Sequence, residues 1–435
     1  VKKITEPVDW KVTVPGSKSM TNRALLMAVL SAGTVRVEGV LFSDDSRHFL
    51  ACLVALGFTV EIEEEKKCVT VTGCGGRIPR GEAVIDVGSA GTAARFLAAM
   101  LGFSDGCYEI RCSAQMKRRP MAELFDLLSG AGAKITFLEE EGHLPVRITG
   151  CRYARADKTA GETPRELSLD ITKSTQFLSA LLLIAPMVPE GMKIHITSEK
   201  TDGSYIRITR KMMQEFGVSV AFDGRDYEVP CRSSYRKETY MVEPDMSAAC
   251  YFYAAAAVTG GRALVRHVHM DNTQGDLRFL EVLEHMGCTA DDTPEGILVT
   301  GPADGALRGI TVNMNDFSDQ ALTLAAIAPF ADAPVRIEGI GHIRGQECDR
   351  IHAIQTNLTA LGIRCEEEET AATIYPGSPH GGSVETYDDH RVAMAFSLVG
   401  LRTDGIVIEN PACCRKTFEN YFTVLSELTG KKMEA

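Results

Sequence analysis

Leu53-Val54-Ala55-Leu56-Gly57-Phe58 reads as the end of an amphipathic helix, a glycine, and the entry to an apolar-alternating strand. Glycine is the expected residue just past a helix C-terminus, because it takes a positive φ without the steric penalty of a Cβ. The junction recurs as Leu127-Leu128-Ser129-Gly130-Ala131-Gly132-Ala133, Met212-Met213-Gln214-Glu215-Phe216-Gly217-Val218 and Val282-Leu283-Glu284-His285-Met286-Gly287-Cys288. It returns in Leu358-Thr359-Ala360-Leu361-Gly362-Ile363 and lastly between Val424 and Gly430. Self-similarity at a period of about 70–85 residues marks a repeat architecture.

A second kind of helix alternates with the first. It is small and apolar nearly all round, over 21–30, 92–101, 175–185, 248–258, 320–328 and 392–401, and such helices belong inside a domain. Short strands follow each, around Val35, Glu109, Ile194, Val265, Arg336 and Val407. Strands alternating with helices place the chain in the α/β (α+β) class. Its 435 residues are too many for one core and fit two domains of roughly 200 residues, three repeats in each. The natural cuts lie near Pro15-Gly16 and Met241–Pro244, the latter after the polar stretch Arg232–Glu238. The expected domains are residues 1–15 with 243–435, and residues 16–242, so that two chain crossings form a hinge.

Hydrophobic residues make up 45% and charged residues 24%, an ordinary globular balance. A net charge of −12 is the opposite of what nonspecific nucleic-acid binding needs, so anionic ligands would require locally concentrated positive charge. The thirteen cysteines include no C-x-x-C pair and read as free thiols in a reducing cytoplasm. No basic-apolar leader opens the chain, and no apolar run approaches the ~20 residues of a membrane span. A cytoplasmic protein without membrane contact is expected.

Polar clusters precede the small apolar helices: Gly16-Ser17-Lys18-Ser19, Gly88-Ser89-Ala90-Gly91-Thr92, Lys173-Ser174-Thr175-Gln176, Asp245-Met246-Ser247, Ser318-Asp319 and Asp388-Asp389-His390-Arg391. Ser, Thr and Asp there read first as N-caps, Ser247 and Ser318 included. The cations are harder to explain. Lys18, Lys173 and Arg391 stand at the positive end of a helix dipole, which costs about 0.3–1 kcal/mol each unless an anion is present. The Gly88–Thr92 turn suits close approach of backbone N–H groups to phosphate. Arg118, Arg119 and Arg350 alone would read as a solvated face. Together, Lys18, Arg23, Arg95, Arg119, Arg350, Arg391 and Lys416 can gather against a polyanion. Asp319 and Glu347 accompany them, and an acid kept in such a site is a candidate for proton transfer. Nothing in this pattern requires a metal or cofactor.

Val14-Pro15-Gly16-Ser17-Lys18-Ser19-Met20-Thr21-Asn22-Arg23-Ala24 resembles the N-terminal signature of the 5-enolpyruvylshikimate-3-phosphate synthases, and Gly88–Arg95 resembles their second signature, with Ser89 where many members have asparagine. Arg119-Pro120-Met121, Ser174–Phe177, Ser318-Asp319, Glu347–Arg350, Asp389-His390-Arg391 and Lys416-Thr417-Phe418 continue in family order over nearly the whole chain. The resemblance implies a two-domain inside-out α/β barrel, each domain built of three βαβαββ units. It implies transfer of the enolpyruvyl group of phosphoenolpyruvate to shikimate 3-phosphate through a tetrahedral intermediate, by a monomer that closes over its substrates. Lys18, Ser19, Arg23, Ser174, Thr175, Gln176, Tyr205, Asp319, His342 and Gln346 would meet shikimate 3-phosphate. Lys18, Gly91, Thr92, Arg119, Gln176, Arg350, Arg391 and Lys416 would meet phosphoenolpyruvate, with glyphosate as a competitor. Asp319 would deprotonate the attacking hydroxyl, and Glu347, with Lys18, would protonate the methylene carbon.

In Arg344-Gly345-Gln346-Glu347-Cys348-Asp349-Arg350, Gln346 replaces a lysine common in the family, and His342 stands where asparagine is frequent. Asp202, in Thr201–Tyr205, is unfavourable beside a phosphate. The alternative acceptor is UDP-N-acetylglucosamine, used by a sister family that carries a reactive cysteine five residues before its Arg-Pro pair. Ala114 occupies that position here, and Cys112 lies two residues too early. A non-enzymatic DNA clamp, also made of six α/β repeats, is disfavoured by the acidic net charge.

Overall fold

The computed structural model describes residues 1–151, 163–172, 174–303 and 305–430. The chain forms two compact units: Val1–Pro15 with Pro244–Ala435, and Gly16–Glu243.

The small apolar helices are the buried ones. Every residue of helix Gly91–Gly102 is buried, as is all of Met246–Thr259 except its last residue. The others of this kind are Lys18–Leu30, Thr175–Ile184, Ala321–Ile327 and His390–Arg402. Alanine and other small side chains let these helices pack deep in a core, where any polar face would strand unpaired groups. The glycines of the recurring junction adopt the expected backbone. Gly57, Gly132, Gly217, Gly287, Gly362 and Gly430 have φ of 91°, 99°, 89°, 106°, 83° and 63°.

In the Gly16–Glu243 unit, each repeat folds onto a four-stranded sheet of one pattern. Glu82–Asp86 runs parallel to Cys107–Arg111, which pairs antiparallel with Val146–Thr149, itself antiparallel to Lys134–Phe137. The sheet Arg165–Leu169, Met192–Ile196, Asp226–Val229, Ala221–Phe222 repeats it. In the third sheet the parallel edge comes from far along the chain: Thr239–Met241 lies beside Thr34–Glu38, followed by Cys68–Thr72 and Thr59–Glu63.

The other unit makes the converse loan. Asp9–Val12 supplies the parallel edge to Arg262–Arg266, which continues into Gly296–Thr300 and Thr289–Thr293. Its second sheet is Thr311–Asn313, Val335–Glu338, Ala372–Ile374, Cys365–Glu367. Its third has two described strands, Gly382–Val384 and Ile406–Ile408. All thirteen cysteines are free. No helix among the described residues is long and apolar enough to cross a membrane.

Candidate active site

In the unit built on Pro244–Ala435, three helix starts bring charge together. Asp389 caps helix His390–Arg402 by accepting from the Arg391 N–H at 2.9 Å, which sets Arg391 in the first turn. Asp349 caps helix Arg350–Ala360, accepting from the His352 N–H, and Arg344 clamps both Asp349 and Glu367 at 2.8 Å. This clamp holds the Gly345–Cys348 loop and presents Gln346 and Glu347. Asp319 lies in the 3₁₀ turn Ser318–Gln320, just before helix Ala321–Ile327.

Arg350 is the hub, 1% exposed. Its Nη1 donates to Asp319 at 3.0 Å, its Nη2 to Glu347 at 2.9 Å, and its Nε to the fully buried Asp389 at 2.7 Å. Burial alone would pull its pKa down, but Asp389, Glu347 and Asp319 outweigh this and hold the guanidinium charged above its ordinary value. The ladder extends at both ends. Arg391 donates to the second Asp319 oxygen at 2.9 Å, and Lys416 forms an ion pair with the second Glu347 oxygen at 3.0 Å. Lys416 is placed by the 3₁₀ turn Pro411–Lys416. Gln346 accepts from Arg350, and Ser318 pairs with His342 Nε2 at 2.8 Å. Asp319, Glu347, Gln346, Arg350, Arg391 and Lys416 thus form one group joined by hydrogen bonds and ion pairs.

In the Gly16–Glu243 unit, Lys18 opens helix Lys18–Leu30 with its Nζ 3.4 Å from Asp45, which is 2% exposed. Arg23 is buried, donating to the Thr209 hydroxyl at 2.8 Å, the Ser19 carbonyl at 2.9 Å, and the Ser179 hydroxyl and Tyr205 carbonyl at 3.4 Å. Its guanidinium lies over the Phe96 and Tyr205 rings, and burial pulls its pKa down to about 10. Arg23 therefore stands behind Ser19 and Tyr205 and holds them. Ser174 caps helix Thr175–Ile184 through the Gln176 N–H, and the Gln176 carbonyl accepts from Arg95 at 2.7 Å. Asn22 donates to Thr92 at 2.6 Å, tying the two signature helices. A Cβ on Gly91 would lie 2.5 Å from Arg119 Nη1, so glycine there lets the buried guanidinium meet the helix start. No acidic side chain occupies the first turn of either signature helix.

Two readings of the sequence are corrected and two are given partners. Ser247 and Ser318 are not N-caps: the Ser247 hydroxyl donates to Asp276, and Ser318 pairs with His342. The anions beside Lys18 and Arg391 are the chain's own Asp45 and Asp319. Arg119 and Arg350 are buried rather than solvated, whereas Arg118 is exposed as a surface face requires. Asp202 pairs with Arg207 at 3.0 Å and accepts from the Tyr227 hydroxyl. Lys173 lies outside the described residues. Sequence reasoning passed over Asp45 and Asp276, which sit in no periodic or signature pattern. Among the described residues no group of His, Cys, Asp or Glu side chains is arranged to hold a metal.

The family model for EPSP synthase (3-phosphoshikimate 1-carboxyvinyltransferase) matches residues 2–425. The chain belongs to the EPSP synthase family. A 3-phosphoshikimate 1-carboxyvinyltransferase of Trichormus variabilis is 41% identical over 429 residues, covering 98% of each chain. One from Nostoc punctiforme is 41% identical over 421 residues, covering 97% of this chain and 96% of that one. Among solved structures, an EPSP synthase from Acinetobacter baumannii matches with a TM-score of 0.79 at 25% identity, over 100% of this chain and 98% of that one. The enolpyruvyl transferase NikO from Streptomyces tendae, at 16% identity, shares the fold with a TM-score of 0.72 over 98% and 96% of the two chains. This EPSP synthase family member therefore has the mixed α/β fold of the enolpyruvyl transferases.

Proposed function

We propose that this chain transfers the enolpyruvyl group of phosphoenolpyruvate to the 5-hydroxyl of shikimate 3-phosphate, releasing phosphate. The observation that carries the reading is the ladder Arg391–Asp319–Arg350–Glu347–Lys416, in which two carboxylates share one buried arginine and each holds a second cation. Addition of a hydroxyl to C2 of phosphoenolpyruvate must be matched by protonation at C3, so the reaction needs a proton acceptor and a proton donor. Asp319 is the acceptor. Glu347, with Lys18, delivers the proton to the methylene carbon.

The ladder also explains how these carboxylates become active. Paired with two cations each, they are weak bases. The carboxylate and phosphate of phosphoenolpyruvate compete for Arg350, Arg391 and Lys416, arginine engaging them in bidentate fashion. Each carboxylate that surrenders a cation binds a proton more tightly. Substrate binding thereby switches on the proton carriers, and the same cations stabilise the tetrahedral intermediate until phosphate leaves. Gly91, Thr92 and Arg119 add contacts to phosphoenolpyruvate, where glyphosate competes. Lys18, Ser19, Ser174, Thr175, Gln176, Tyr205, His342 and Gln346 hold shikimate 3-phosphate, with Arg23 supporting Ser19 and Tyr205 from behind. The chain is assigned to the cytoplasm as a monomer.

The sister acceptor is disfavoured by chemistry as well as spacing. Burial pushes the Cys112 thiol up to about 11, so it is a poor nucleophile at neutral pH. The test is phosphate release from phosphoenolpyruvate with shikimate 3-phosphate or UDP-N-acetylglucosamine as acceptor. Release with shikimate 3-phosphate alone is expected. Release with the sugar nucleotide alone overturns the acceptor, and release with neither overturns the activity.

A further inference from the structure

Asp276 lies in the 3₁₀ turn Gly275–Arg278 and is 6% exposed. Its Oδ2 accepts from the Ser247 hydroxyl and from Gln320 Nε2 at 3.1 Å, and its backbone carbonyl accepts from the Cys250 thiol at 3.7 Å. Gln320 is the neighbour of Asp319, fully buried, and its own carbonyl accepts from Thr323 at 2.9 Å. Both donors to the Asp276 side chain are neutral, and an asparagine oxygen would satisfy them equally well. The negative charge is therefore surplus to packing, and a buried charge held by neutral donors is costly.

We infer that Asp276 is a positioning residue whose charge, tied to the Asp319 turn through Gln320, keeps Asp319 a competent proton acceptor despite its two arginines. The inference rests on the assignment of Asp319 as the base. Arg350 and Arg391 at 3.0 and 2.9 Å favour the ionised form of Asp319 and so weaken it as a base. A like charge tied to its turn acts in the opposite sense. The ionisable groups facing Asp276 are Asp319, Arg391 and Cys250, with Asp245 capping the helix that carries Ser247 and Cys250. On its own turn, Arg278 points to Glu281 and Phe317. Burial, and then the charge of Asp319, push the Asp276 carboxyl up to about 6, against the pull of Arg391, Ser247 and Gln320.

The experiment is the pH dependence of kcat between about pH 5 and 8.5, with both substrates saturating. Wild-type kcat should fall as the pH drops through about 6, where Asp276 takes up a proton and ceases to support Asp319. Asp276→Asn should already run at the lower rate and show no inflection there, with Michaelis constants within about twofold of wild type. A wild-type profile flat through that region, or an Asp276→Asn enzyme that keeps the wild-type rate or inflection, overturns the inference. Should circular dichroism show that Asp276→Asn is unfolded, Ser247→Ala replaces it. Losing that donor raises the proton affinity of Asp276, so the inflection should move to higher pH, and an unmoved inflection overturns the inference. Asp319→Ala separates the two levels. Unchanged kcat in that variant removes the base itself, whereas its loss alongside an unmoved Asp276 profile removes only the supporting role.

Discussion

Arg350, Arg391 and Lys416 each hold a carboxylate, whereas Arg23 and Arg95, in the other unit, rest on hydroxyls, amide or backbone oxygens and aromatic rings. The difference separates two tasks. A cation that already owns a carboxylate must exchange it for a ligand anion, and the exchange liberates a base. A cation resting on neutral partners has no carboxylate to release, so its charge serves recognition or support. On the proposed reading, the first arrangement binds an anion and frees a proton carrier in the same exchange, whereas the second serves recognition or support alone.

The strongest way to break this contrast is to remove the two buried arginines in turn. Arg350→Met strands Asp389 and leaves Asp319 and Glu347 with one cation fewer. It should cost about 3–5 kcal/mol in denaturant unfolding. Arg23→Met strands no carboxylate and should cost about 1–3 kcal/mol, as loss of buried hydrogen bonds does. Equal losses would show that the pairing difference has no energetic content.

A smaller effect has a size that depends on pH. The folded-state pKa of Asp276 lies above the unfolded value of about 3.9. Its contribution to stability is full below that value and is lost as pH rises through about 6. Asp276→Asn should therefore be more stable than wild type at pH 7.5 by about 1–3 kcal/mol, with the gap closing towards pH 4. Unfolding curves at the two pH values check this, and a pH-independent gap would remove the buried charge from the account.

Gly91→Ala sharpens the recognition side. The new Cβ meets the Arg119 guanidinium and must displace it. The Michaelis constant for phosphoenolpyruvate should rise about tenfold, and glyphosate inhibition should weaken at least as much. Equal inhibition of both forms would detach Gly91 from that site. The smallest expected change is for Gln346→Lys. An ammonium beside Arg350 adds positive charge at the hub of the ladder and should lower the Michaelis constant for shikimate 3-phosphate about two- to threefold at low salt. An unchanged constant would place Gln346 outside the site.

The helix-ending glycines and the buried small helices were legible in the sequence because both are local. Positive φ is a property of one residue, and an all-apolar helix declares its burial wherever it lies. Lys18 and Arg391 were legible for the same reason, since a basic residue at a helix start conflicts with the dipole, whereas Arg119 and Arg350 read on pattern alone as a solvated face and are buried. Their partners were not. Asp45 and Asp276 gain their roles only when separate chain segments pack against Lys18 and against Ser247 and Gln320. Ser247 and Ser318 show the limit from the other side: each occupies an N-cap-like position, yet a long-range partner takes its hydroxyl.

Strand Asp9–Val12 finds its mate at Arg262–Arg266, with the whole Gly16–Glu243 unit made in between. On the ribosome, synthesis at about 5–20 residues per second leaves that strand waiting on the order of tens of seconds. During this interval its backbone donors and acceptors and the side chain of Trp10, later packed edge-on against Phe252, face water or whatever chaperone reaches them. The unit translated in the meantime already contains its own borrowed strand, Thr239–Met241, and can complete its sheets first. The newborn chain thus carries an unfinished edge until Arg262–Arg266 is made, and the hazard of aggregation is greatest before then.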